Sequence, residues 1–312
     1  MTPTTETRLV LVVRRTRLDE LIARFNTEAQ ARFYVEHLGA DFSDYKTEDE
    51  IYRQQASAAQ TLLSGIGRLH TIERSFVPNY VFGPQDVVVA LGQDGLVANV
   101  LKYLPTQPLL GVNPDPKRWE GVLLPFTVSA LSAVLPEVIR NARQIREVTL
   151  ALAELNTGER LYAVNDLFIG TKTHASARYR IQIGDRAEDH SSSGIIVSTG
   201  VGSTGWLRSV IAGATGIVRE ISHASGKVAT ERRIPWEAKQ LVFSVREPWP
   251  SKTSAARITF GDITEKRPLQ LLSLMPERGV IFSDGIEEDY LEFNAGTRAV
   301  ITIAERRGHL VV

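Results

Sequence analysis

The chain has 312 residues, enough for two domains and a sizeable core. Its 36 basic and 36 acidic residues cancel, so no global field draws it to nucleic acid or to an anionic membrane. It has no cysteine, which excludes disulfides, thiolate zinc sites and cysteine nucleophiles, and no apolar run reaches the roughly 18 residues of a membrane span.

Residues 1–8 lack the apolar core of a signal peptide, so the expected setting is the cytoplasm. Leu9–Val13 then reads as a short buried strand. Helices follow over about Leu18–Phe25 and from Thr27-Glu28-Ala29-Gln30, which has capping-box spacing, to about Leu38, where Gly39 ends the turn. A longer helix is expected over Asp49–Leu63. Asp86–Leu91 is apolar without alternation, as in a central parallel strand covered on both faces. Leu96, Val97, Val100, Leu101 and Leu104 recur at helical spacing, and Leu109–Val112 is the next strand. Alternating strands and helices to about residue 125 predict an α/β domain, a parallel sheet sandwiched by helices.

The character then changes. After a helix over about Ser129–Arg143, strands are expected at Glu147–Leu155, Arg160–Phe168, Arg178–Ile183, Gly194–Ser198, Leu241–Val245, Arg257–Phe260, Gly279–Phe282 and Ala299–Ile303. Turn signals such as Asn156-Thr157-Gly158 and Ser283-Asp284-Gly285 separate them. The second domain is therefore expected to be β-rich and mostly antiparallel. The expected division is 1–128 and 129–312, with the last segment able to return to the first domain.

Three segments could carry chemistry. In Gly92-Gln93-Asp94-Gly95, a strand runs through a glycine turn into a helix, which gathers backbone N–H groups and a positive helix end at one point. A carboxylate there repels phosphate unless a cation intervenes or it has a proton to take. Asp94 thus reads as a Mg²⁺-linked acid or a general base, the plain alternative being a helix cap. No Gly-x-x-x-x-Gly-Lys-Ser/Thr segment occurs, so any kinase here uses another phosphate cradle. The second segment holds Gly200, Gly202 and Gly205 as Gly-x-Gly-x-x-Gly. A Rossmann reading fails because no apolar strand precedes Glu220 and 211–216 looks loop-like. What remains is a turn rich in hydroxyls: Ser198, Thr199, Ser203 and Thr204. Third, Asn165-Asp166 sets an amide beside a carboxylate, a pair suited to ribose hydroxyls that a simple turn also explains. Arg246, near Trp249, is a candidate phosphate clamp. The six histidines, His223 among them, show no two-ligand helical spacing, and His190 reads as solvated loop.

The order of these elements resembles the NAD kinase family. There the counterparts are a Gly-Gly-Asp-Gly turn, a Gly-x-Asn, an Asn-Glu pair and Ser-Thr-Pro-Thr-Gly-Ser-Thr-Ala-Tyr. Here they stand as Gly92–Gly95, Gly111-Val112-Asn113, Asn165-Asp166 and Ser198–Trp206. Gly111–Pro116, Ser192–Gly194 and Phe243–Pro248 look closest to the mitochondrial-type branch. The resemblance implies an NAD kinase-like fold and transfer of the ATP γ-phosphate, with Mg²⁺, to the adenosine-ribose 2′-hydroxyl of NAD. Asp94 would be the general base, with Gly92 and Gly95 approaching phosphates. Asn113, Asn165, Asp166, Ser198, Thr199, Gly202, Ser203, Thr204, Trp206 and Arg246 would line the nucleotide sites. No metal-ligating residue is assigned. Nucleotides are the expected partners, with no nucleic acid or membrane, in a homodimer or homotetramer. The chain departs from the pattern at Gln93, which requires ordinary backbone angles, and at Leu96, Asp166 and Ser193. Two alternatives stay open: a related kinase acting on a sugar or lipid hydroxyl, and a non-catalytic NAD(P)-binding sensor.

Overall fold

The computed structural model describes residues 7–222 and 232–312, and His223 lies outside them. The chain divides into two compact units, one reaching to Arg146 and including His309–Val312, the other covering Glu147–Gly308.

The first unit opens on β1 (Arg8–Val13), with Leu9–Val12 fully buried. Helix α1 (Arg17–Phe25) follows, its start fixed by reciprocal bonds between Thr16 and Asp19. Helix α2 (Glu28–His37) is capped by Thr27, and Gly39 leaves it at φ +75°. Helix α3 spans Phe42–Ile66, beginning seven residues before the expected Asp49 because Asp41 caps it by accepting the Ser43 N–H. Then come β2 (Arg68–Glu73), β3 (Val87–Leu91), α4 (Asp94–Leu101), β4 (Pro108–Asn113), β5 (Phe126–Thr127) and α5 (Leu131–Ile139). Strands β4, β3, β1 and β2 pair side by side in parallel, and β5 joins β4. Tyr52, Ala59 and Leu63 of α3 share one core with Leu11, Val89 and Leu110 and with Leu131, Leu135 and Val138 of α5. That core draws α5 into the first unit, although the sequence placed it after the boundary. Helix α4 packs against β3 and β4 and buries Leu96–Leu101.

The second unit is built from antiparallel sheets. Its strands are β6 (Ile145–Leu155), β7 (Arg160–Ala163), β8 (Asp166–Thr171), β9 (Ala177–Ile183), β10 (Arg186–Ser192) and β11 (Ile195–Ser198). After α6 (Trp206–Ser222) come β12 (Leu241–Val245), β13 (Phe260–Ile263), β14 (Leu269–Ser273), β15 (Gly279–Ser283), β16 (Ile286–Glu292) and β17 (Arg298–Val311). One sheet runs β10-β9-β14-β17 with β6 and β7 attached, the other β13-β12-β11-β8-β15-β16. Their inner faces share a core that includes Leu167, Ile169, Tyr179, Ile181, Val197, Phe243, Leu271 and Ile281.

Four local expectations are corrected. The stretch 160–168 is two strands broken at Val164-Asn165, because Asp284 takes up the backbone N–H groups of residues 164–166. Residues 211–216 are helical, with two glycines tolerated inside α6. The strand expected at 257–260 begins only at Phe260, since the Arg257 and Ile258 N–H groups bond Glu188 instead. His190 is no solvated loop: it is buried on β10 and bonded to Glu188 at 2.7 Å. Among the described residues no helix is long and apolar enough to cross a membrane.

Candidate active site

In the first unit the glycine turn joins β3 to α4. Gly92 donates its N–H to Val112 O (3.1 Å), which seats the turn beside the end of β4. A Cβ on Gly92 would lie 2.9 Å from Leu96 Cδ2, so a side chain here would have to push the end of the Leu96 side chain aside. Gln93 adopts φ −108° and ψ 164°, ordinary extended backbone, so its side chain is accommodated without strain. Asp94 is the first residue of α4 and makes no cap; its Oδ1 instead accepts the Leu123 N–H at 2.6 Å. A loop amide thereby fixes the carboxylate at the positive end of the helix. Gly95 is exposed, with no heavy atom within 4 Å of where its Cβ would stand. Asn113 ends β4 and braces the following loop, donating to Trp119 O (2.9 Å) and accepting from Asp115 N (3.0 Å).

Three residues near this turn carried no signal in the sequence. Arg14 Nε lies 3.6 Å from the position of a Gly92 Cβ, out of solvent and without a hydrogen bond. Its guanidinium stands over the Tyr52 ring at 4.7 Å and bonds Glu48 at 2.6 Å. Tyr52 donates to Leu91 O (2.9 Å) and accepts from Arg14 N (2.8 Å), which ties α3 to both strand ends. Glu48 stays ionised below its ordinary range: burial opposes this, but Arg14 and Arg17 outweigh it.

In the second unit the Asn165-Asp166 corner and the Ser198–Thr204 turn lie against each other. Asp166 and Ser198 are register partners on β8 and β11. A Cβ on Gly202 would run into the Asn165 carbonyl oxygen, so glycine is required here by close backbone approach. The buried Thr199 hydroxyl donates to Val164 O and accepts from the N–H groups of Val201 and Gly202. Ser203, also buried, donates to Gly200 O (2.7 Å) and accepts from Ile234 N (3.3 Å). These two hydroxyls hold the turn, whereas Thr204 is exposed. Trp206 opens α6 with 39% exposure, and the Arg246 guanidinium stands 5.6 Å from its ring centroid.

Asp166 Oδ1 is covered and has no hydrogen-bond partner. Burial pushes this carboxyl up to about 7; the Ser198 hydroxyl works against the shift, and the nearby Asp284 carboxylate adds to it. Asp284 itself sits at φ +53° and accepts the Asn165 N–H at 2.6 Å. The Asp-Gly turn signal located that residue, but its bonds to a segment about 120 residues away had no local signature. Among the described residues no group of three or more His, Asp or Glu side chains converges to hold a metal ion.

The fold is that of NAD kinases. An NAD kinase from Archaeoglobus fulgidus, solved in complex with ATP, matches 98% of this chain over 93% of its own, with a TM-score of 0.57 and 13% identity. Yeast NADH kinase, solved with NADH, matches 98% of this chain over 83% of its own, with a TM-score of 0.56 and 13% identity. No protein-family model and no curated protein matches the sequence.

Proposed function

We propose that the protein is an ATP-dependent kinase that phosphorylates the adenosine-ribose 2′-hydroxyl of NAD to give NADP. The observation that carries this reading is Asp94, a carboxylate fixed by Leu123 N–H at the start of α4 beside a glycine turn. In this role Asp94 takes the proton of the 2′-hydroxyl as that oxygen attacks the γ-phosphorus, and ADP leaves with the electrons of the broken P–O bond. Gly92, Gly95 and the amides at the start of α4 would face the phosphates. Asn113 would act indirectly, by shaping the adjacent loop.

In the second unit, Asn165, Asp166, Thr204 and Trp206 would hold the dinucleotide and Arg246 would face its phosphates. Ser198, Thr199, Gly202 and Ser203 would build the turn that presents them. With no converging acidic cluster among the described residues, Mg²⁺ would arrive on the ATP phosphates rather than in a protein cage. The structural likeness to an ATP complex and an NADH complex supports nucleotide ligands for this chain. The motif likeness supports placement in the mitochondrial-type branch and assembly as a homodimer or homotetramer.

The test incubates purified protein with Mg²⁺, ATP and NAD and measures NADP. Asp94→Asn is expected to lower turnover by about 10²–10⁴, the usual worth of a general base. Turnover within a few-fold of wild type would remove Asp94 from that role. Tight NAD binding by wild type without NADP formation would establish a binding protein instead.

A further inference from the structure

The carboxylate of Asp94 is held from outside its own helix. Its Oδ1 accepts the Leu123 N–H at 2.6 Å, so its aim is set by the loop of residues 114–124 that joins β4 to β5. The end of that loop lies flat on β4. A Cβ on Gly111 would run into the Leu123 carbonyl oxygen, and Leu123 and Leu124 are both buried. Gly121 turns the chain at φ +67°, and its carbonyl accepts the Leu124 N–H at 3.0 Å.

The middle of the loop reaches across the first unit through Arg118. Its guanidinium forks onto Asp44 in the first turn of α3, Nη1 to Oδ2 at 3.1 Å and Nη2 to Oδ1 at 2.5 Å. A bidentate pair of this kind fixes direction as well as distance. Arg17 donates to the same carboxylate at 2.6 Å and to Glu48 at 3.0 Å, and Glu48 in turn takes Arg14 at 2.6 Å. Arg118 first, and Arg17 with it, hold the Asp44 carboxyl well below the usual carboxylate range. The Arg118 and Trp119 N–H groups both bond Asp115 O at 3.1 Å, and Asn113 reaches Trp119 O. The Asp44 side chain is 42% exposed and that of Arg118 23%, and partly exposed pairs contribute little to stability. What the fork does fix is the course of the loop between Asn113 and Leu123.

We infer that Arg118 and Asp44 are positioning residues for Asp94, acting through the loop and the Leu123 amide. The inference rests on the kinase reading for the role of Asp94. With Oδ1 committed to Leu123, Oδ2 is the oxygen left to take the hydroxyl proton, and the fork keeps it aimed.

Amide exchange, turnover and a double variant test this on the full chain. Arg118→Gln should speed exchange of the Leu123 amide about tenfold or more, since local opening then costs less. The melting temperature should stay within about 2 °C, because the pair is partly exposed. Turnover should fall about tenfold with KM for ATP and NAD within about twofold, since the base is misaimed while binding is intact. Arg118→Lys keeps the charge but loses the fork, and should recover part of the turnover. Asp44→Asn should repeat the Arg118→Gln pattern. In an Asp94→Asn background, Arg118→Gln should cost less than about twofold more, because the base it positions is already gone. Unchanged Leu123 exchange in Arg118→Gln and Asp44→Asn overturns the inference whatever the activity. So does a loss of turnover that repeats in full on Asp94→Asn, since Arg118 then acts on something else. If wild type forms no NADP, the kinase reading fails by itself. Faster Leu123 exchange in the two variants would then still uphold the fork as the clamp on Asp94.

Discussion

Asp166 and Glu188 are both carboxyls in the second unit, yet their surroundings drive them in opposite directions. Burial raises Asp166 to about 7 from an ordinary 3.8. Glu188 is also opposed by burial, but His190 and the N–H groups of Ile258 and Arg257 hold it ionised, at about 2. The stability contributions therefore occupy separate pH windows. For Asp166 the folded state holds the proton more tightly, so its contribution is complete below about pH 4 and is lost as pH rises through about 7. For Glu188 the contribution is present above about 4.5 and lost as pH falls towards 2. Urea unfolding is expected to show stability falling between pH 4 and 8 by up to about 4 kcal/mol from Asp166 alone. Asp166→Asn should flatten that limb and leave the acid limb unchanged. An Asn variant that kept the full slope would show that another group titrates there. At this scale the sequence marked Asp94, Asp166 and Arg246 by residue type and order. It gave no hint of Arg14 or of the Leu123 amide, which reach the glycine turn only through folding.

At the level of elements, the glycines separate into those that pack and those that stand open. A Cβ on Gly202 would collide with the Asn165 carbonyl and lie 2.7 Å from Asp166 Oδ1. Gly202→Ala is therefore expected to cost more than about 2 kcal/mol and, on the proposed function, to weaken NAD binding by displacing the 165–166 corner. Gly95 meets nothing within 4 Å and lies in the first turn of α4. Gly95→Ala should hold or raise stability, by up to about 1 kcal/mol, since alanine favours the helix. If phosphate approaches Gly95 closely, the same variant should bind ATP several-fold more weakly. Thermal melts and ATP titration read both effects, and an unchanged ATP affinity would remove Gly95 from the phosphate site. Periodicity placed β1, β3, β4, β11 and β12 to within a residue or two because those runs are continuously apolar. Strand β10 carries Glu188, Asp189 and His190, and β16 carries Glu287, Glu288 and Asp289. Their pairing partners fix them as strands, and local composition could not.

For the whole molecule, the C-terminal residues have a stabilising role that their position conceals. His309 and Leu310 pair in parallel with Pro108 and Leu109 of β4, and Leu310 and Val311 are buried. Arg143 Nε donates to Val312 O at 2.8 Å, and Val312 N donates to Gln144 O at 3.2 Å. Ending the chain at Gly308 exposes an edge of β4 and removes two buried side chains worth roughly 1.5–3 kcal/mol each. The truncated chain should melt at lower temperature, with amide exchange accelerated in β4. Protection of β4 equal to wild type would show that the tail is dispensable.

The sequence by itself determined the fold class, a parallel α/β unit followed by an antiparallel β-rich one. Strand and helix periodicities are local properties of apolar spacing. The order of the glycine turn, the Asn-Asp pair and the hydroxyl-rich turn is equally a property of the linear chain. Only tertiary structure decided that Asp94 is held by Leu123 and that Asp284 caps residues 164–166. It alone decided that Asp166 is desolvated and that Arg118 meets Asp44. Each of those facts depends on contacts between segments tens to more than a hundred residues apart, through strand register and burial that no local pattern encodes.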